Sequence, residues 1–113
     1  MTDDKFELTN LEVSVIGDPD SFVCSHKLGK AFDVVGENLI FNDNNAFSLY
    51  ALSALLPLIP AKRRQTHPND WMTTDQVVAC PDPNCGAQFQ IARKDKKTFS
   101  HAEVTKVPLP NQN

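Results

Sequence analysis

The stretch Asn44-Asn45-Ala46-Phe47-Ser48-Leu49-Tyr50-Ala51-Leu52-Ser53-Ala54-Leu55-Leu56-Pro57-Leu58-Ile59 decides how this chain is read. From Ala46 onward only Ser48, Ser53 and Pro57 interrupt its apolar character, and no β-branched residue precedes Ile59. Alanine and leucine at that density favour a helix. Asp43, Asn44 and Asn45 offer side-chain oxygens to cap its first free N–H groups. Pro57 and Pro60 cannot donate to a helical ladder, which predicts an end near Leu55 or Leu56. A helix with so little polar surface is expected to be buried on several sides. It falls short of the roughly 20 apolar residues that a bilayer crossing needs. The expectation is one central core helix with strands packed around it.

On the N-terminal side, Leu11, Val13 and Val15 alternate with Glu12 and Ser14, a half-buried strand over residues 11–16. Residues 1–10 are expected to form an N-terminal extension. Gly17-Asp18-Pro19-Asp20 breaks the strand. Phe22-Val23-Cys24 reads as a short extended piece and residues 30–35 as a second strand. Gly36-Glu37-Asn38 is a tight turn into a third strand over 39–41, which makes a hairpin. Beyond the helix, residues 61–75 form a long polar connection of the kind that serves as a lid, with Trp71 expected to pin it to the core. A strand over 76–80, a turn over 81–86 and a return strand through Phe89 and Ile91 follow. A last weak strand is expected within 102–107, before a frayed tail at 108–113. The fold class is α+β: a small, mainly antiparallel sheet, open or curled into a half-barrel, closed by one helix in a single domain over residues 11–107.

At 113 residues the chain is long enough for a core of its own. Its net charge of −3 gives no reason to expect a nucleic-acid partner. Lys62-Arg63-Arg64 follows the helix, where cations are favourable, and the Arg93-Lys94-Asp95-Lys96-Lys97 run reads as a solvated turn. The first residues carry no basic and apolar leader, and no membrane partner is expected. The three cysteines cannot all pair within the chain, so free thiols and a cytoplasmic setting are the expectation.

Two loops hold the candidate chemistry: Cys24-Ser25-His26-Lys27-Leu28-Gly29 and Cys80-Pro81-Asp82-Pro83-Asn84-Cys85-Gly86. One reading is a metal site, since Cys24, His26, Cys80 and Cys85 would make the thiolate and imidazole set that zinc prefers, with iron as the other candidate. The spacing counts against it, Cys-x-His being tight and Cys-x₄-Cys wide for a knuckle. A second reading is catalysis. A thiol beside an imidazole can ionise near neutral pH, and in an extended segment Cys24 and His26 point to one face. Asp82 would orient His26 or act as a base. In the third, Cys80 is a core residue, His26 bonds a loop carbonyl, and Asp82 caps a turn. His67 and His101 lie in polar segments, and no phosphate-binding glycine loop, G-x-S-x-G elbow or H-E-x-x-H occurs.

The run Leu11-Glu12-Val13-Ser14-Val15, then Cys24, His26-Lys27-Leu28-Gly29, Phe32 and Val34, resembles the opening of an uncharacterised family of small bacterial and fungal proteins. That family reads L-x-V-x-V, a Cys, then G-H-K-x-G-x-x-F-x-V. The resemblance continues through the apolar helix with Pro57, through Trp71, and into Ala79-Cys80-Pro81-Asp82 and Phe89-Gln90-Ile91. It implies a shared site at Cys24, His26, Cys80 and Asp82 and carries no activity to transfer. This chain has Ser25 where the family has Gly, and Asn44 or Asn45 where it commonly has another cysteine; Cys85 is not part of its motif.

These readings lead to a small cytosolic enzyme doing acid–base chemistry of the isomerase, cyclase or lyase type on a small organic molecule, without an organic cofactor. His26, Asp82, Cys24 and Cys80 would be its catalytic residues, with Phe32, Phe47, Tyr50 and Trp71 lining the pocket. The alternatives are a Cys/His metal-binding module without catalysis, and a homodimeric interaction protein with Ser48 and Ser53 at or near its interface.

Overall fold

The alternation at Leu11, Val13 and Val15 becomes the middle of a much longer strand. In the computed structural model, which describes residues 3–41 and 46–110, β1 runs Lys5–Ile16, β2 Gly29–Val35, β3 Asn38–Ile40, β4 Val77–Ala79 and β5 Gln88–Ser100. They form one antiparallel sheet in the order β3-β2-β1-β5-β4, an α+β architecture with β3 and β4 at the edges. Residues 5–10 of the expected extension are therefore part of the sheet. Lys5 to Thr9 pair with Ser100 to Lys96 because the basic run, read as a solvated turn, continues β5 instead. The alternation is less clean there, and the register shifts between Thr9 and Leu11. Phe6 and Phe99 stack with ring centroids 5.3 Å apart across this outer part of the ladder.

One sheet face carries the core. Leu11, Val13, Val15, Phe32, Val34, Phe89 and Ile91 are buried there, covered by Ala51, Leu55 and Ile59 from the helical segment. That segment is α1 Leu49–Leu55 and α2 Ile59–Lys62, broken around Pro57, with Leu56 as the C-cap of α1. Ser48 Oγ accepts from the Ala51 N–H at 3.2 Å and so caps α1. The capping expected of Asp43, Asn44 and Asn45 lies outside the described residues.

The helix is less enclosed than its composition suggests. Leu49 and Tyr50 are 74% and 75% exposed, so α1 lies on the sheet by one face. A seven-residue helix covers only a strip of a sheet of this width, whatever its hydrophobicity. Phe22, in the piece expected to be extended, has extended backbone, and the segment expected as a last strand within 102–107 begins instead in the short helix α4, His101–Val104. Asp4 ends the outer ladder by taking Ser100 Oγ at 2.7 Å and the Ala102 N–H at 3.2 Å.

The connection after α2 contains α3, Trp71–Thr74, and it is not pinned by Trp71, which is 57% exposed. Two cations hold it. The ammonium of Lys62, 1% exposed, donates to the Met72 and Asp75 carbonyls. Arg93 on β5 donates Nε to Lys62 O, Nη1 to Thr73 O and Nη2 to Met72 O, each at 3.0 Å. Arg63, also buried, gives Nε to Thr9 O at 2.9 Å while its carbonyl receives the Thr9 N–H. Lys62 and Arg63 are thus inside the domain. Their ammonium and guanidinium replace the tertiary contact that an apolar anchor would make.

Replacing Lys62 with methionine keeps the stem and removes the donor, leaving the Asp75 carbonyl without it while Met72 O keeps its bond from Arg93 Nη2. Urea unfolding of this variant is expected to show a loss of about 1–3 kcal/mol; an unchanged midpoint would contradict the pinning role.

Candidate metal centre

The sheet register brings the two cysteine loops together before any side chain is considered. Ile16, the last residue of β1, pairs with Gln88, the first of β5. The chain leaving Ile16 and the chain arriving at Gln88 must therefore run side by side. Gly17, at φ +115°, makes the turn, and a Cβ there would stand 2.8 Å from Gly86 O. Asp18 caps the 3₁₀ turn Pro19–Ser21 by accepting the Asp20 N–H at 3.0 Å. Gly86 N–H donates to Ser21 O at 3.1 Å, fastening one loop to the other. A side chain at Gly86 has no room, since its Cβ would lie 2.0 Å from Ser21 Oγ and 2.7 Å from Ser21 Cβ.

The second loop is locally determined. Cys80 N–H donates to Ala87 O at 3.2 Å and Cys85 N–H to Asp82 O at 3.0 Å. Asp82 Oδ1 accepts the Asn84 N–H at 3.0 Å, an Asx turn between two prolines. This folding back is what makes the four-residue gap between Cys80 and Cys85 compatible with a shared centre.

Cys24, His26, Cys80 and Cys85 converge, their four ligand atoms all within 4.8 Å of one another. Cys24 Sγ is 3.9 Å from Cys80 Sγ, far beyond a disulfide bond, and Cys80 Sγ is 3.7 Å from His26 Nε2. Tetrahedral zinc, with Zn–S near 2.3 Å and Zn–N near 2.0 Å, places two sulfurs about 3.8 Å apart and a sulfur and a nitrogen about 3.6 Å apart. These two separations are close to those values, and all six lie within 4.8 Å. Cys85 is buried and belongs to the core cluster, whereas the other three are half-buried. The His26 ring is positioned by aromatic edges and faces: Phe89 at 5.0 Å, Phe47 at 6.0 Å and Phe22 at 6.4 Å between centroids.

The electrostatics divide the thiols. Cys24 is pushed up to about 12 by its hydrogen bond to Cys85, by burial and by Cys80. Burial alone would raise Cys85, but the backbone N–H of Ala87, the Cys24 thiol and the N–H groups of Val23 and Cys24 together bring it down to about 7. Backbone donors aimed at one sulfur are the preparation that a metal thiolate receives in a knuckle. Burial lowers His26 and so favours the neutral imidazole that ligates metals.

No family model, curated protein or solved structure matches this chain.

Asp82 stands beside the centre, its Oδ2 3.9 Å from Cys24 Sγ. No hydrogen bond joins it to His26 among the described residues. A cavity of about 470 Å³ opens next to the cluster, lined by Cys24, Ser25, Ser48, Tyr50, Cys80, Pro81 and Asp82. Of the expected pocket aromatics, Tyr50 lines it and Phe47 touches His26, while Phe32 is in the core and Trp71 is elsewhere. No residue of the 61–75 connection lines it, so this segment is not its lid.

The substitution Gly86→Ala is expected to lower the thermal midpoint, with Ser21→Gly in the same chain restoring most of the loss because it removes both clashing atoms. A neutral Gly86→Ala, or a double variant no better than the single one, would contradict the contact between the loops.

Proposed function

We propose that this protein is a zinc-binding module in which Cys24, His26, Cys80 and Cys85 hold one metal ion that fastens the two loops together. The convergence of four ligand atoms from two loops within 4.8 Å carries the reading. Three thiolates and one imidazole form a closed tetrahedral set that leaves no coordination position for substrate, which is the pattern of a structural zinc rather than a catalytic one. The set also favours zinc over an iron–sulfur cluster, which ordinarily takes four thiolates. The metal would link residues 56 apart in sequence and add to a domain whose core is covered on one face by short helices.

The supporting experiment measures metal on untagged protein purified without added zinc. One equivalent of zinc is expected, and chelation should lower the thermal midpoint by about 10 °C or more. His26→Cys is expected to keep the metal with four thiolates, whereas Cys85→Ala should lose it. Protein that carries no metal and ignores chelators would overturn the proposal.

A second reading places acid–base catalysis on a small molecule in the cavity beside the cluster, supported by Asp82 and Tyr50 in its lining. It requires His26 as a free base rather than a metal ligand, so protein without bound metal would turn over a small molecule and His26→Cys would abolish that turnover.

A further inference from the structure

The cations that pin the 61–75 connection leave a feature that the metal centre does not use. A second cavity of about 470 Å³ sits between this connection and the β1–β5 pair. Arg63, Arg64, Arg93 and Lys96 line it, against one carboxylate, Glu7. That is an unusual concentration for a chain of net charge −3. The two salt bridges found among the described residues, Lys30–Asp33 and Lys94–Glu12, involve none of these four.

Each cation retains unused capacity. Arg93 has five N–H donors, and three are committed to carbonyls, which fix the guanidinium and leave two. Arg64 is exposed and commits Nη1 to Pro60 O at 3.0 Å. Arg63 is 6% exposed, and its Nη2 has no hydrogen-bond partner among the described residues. A buried guanidinium neutralised only by carbonyls is costly. Burial and the neighbouring Arg64 both work against its charge, more than Glu37 supports it. Thr9, Thr66 and Thr73 add hydroxyls to the lining.

We infer that this cavity is a binding site for a small phosphate-bearing molecule, its phosphate held by Arg64 and Lys96 at the mouth and by the fixed fork of Arg93. A dianion is favoured over a single carboxylate because four cations face one acid, and guanidinium groups donate their N–H groups pairwise to phosphate oxygens. The volume exceeds a bare phosphate and falls within the range of metabolite pockets. No lining residue belongs to the Cys24, His26, Cys80 and Cys85 set, so the site stands or falls independently of the metal.

Calorimetric titration of the protein as isolated tests this, with inorganic phosphate and then glycerol phosphate as probes and chloride at matched ionic strength as the control. Saturable binding of both probes is expected, tighter for the ester, and absent with chloride. Arg64→Ala and Lys96→Ala, both at exposed positions, should each weaken binding about tenfold and leave metal content unchanged. Binding unaffected by these substitutions, or no saturable binding of either probe, would overturn the inference.

Discussion

The long pairing of β1 with β5 is the constraint on which the rest of this structure depends. Its register, from Lys5 opposite Ser100 to Ile16 opposite Gln88, fixes three things at once. It aligns Val13 and Val15 with Ile91 and Phe89 to make the floor of the core. It sets the two cysteine loops side by side at one end. It also carries Arg93 and Lys96 along β5 to where Thr9 and the 61–75 connection meet. A slip of one residue would turn every core side chain to the opposite face and separate the four ligand atoms.

The domain closes its core in two different ways. Along the sheet, apolar side chains under Ala51, Leu55 and Ile59 supply ordinary burial. Away from that core, polar groups gather at two places. Lys62, Arg63 and Arg93 bind carbonyls at one, and the sulfur and imidazole groups converge at the other. The cation set and the sulfur set share no residue, so damage to one should leave the other assembled.

The strands were legible where alternation was clean, as in residues 11–16 and 30–35. They were underestimated where charged residues continued a ladder, as at 93–97, because a strand paired at the sheet's exposed outer part needs no apolar face. The helix end at Leu55 followed from Pro57, but its exposure did not follow from composition, since coverage depends on what the sheet leaves to be covered. Cys24, His26 and Cys80 stood out as loop residues of suitable chemistry. Cys85 belongs to the metal set the sequence offers, and the spacing that counts against that set is offset by the Asp82 turn between two prolines, a local signal that the loop doubles back. The roles of Lys62, Arg63 and Arg93 had no local signal, because the carbonyls they bind lie on other elements. Trp71 shows the converse: a lone tryptophan suggested an anchor, and the anchor is a lysine.

X-ray absorption at the zinc edge of the purified protein tests the proposed Cys24, His26, Cys80 and Cys85 centre most directly. A first shell of three sulfurs near 2.3 Å and one imidazole nitrogen near 2.0 Å is the predicted result. A shell of oxygen and nitrogen alone, or one lacking sulfur, would contradict it and return Cys24, Cys80 and Cys85 to the status of free thiols.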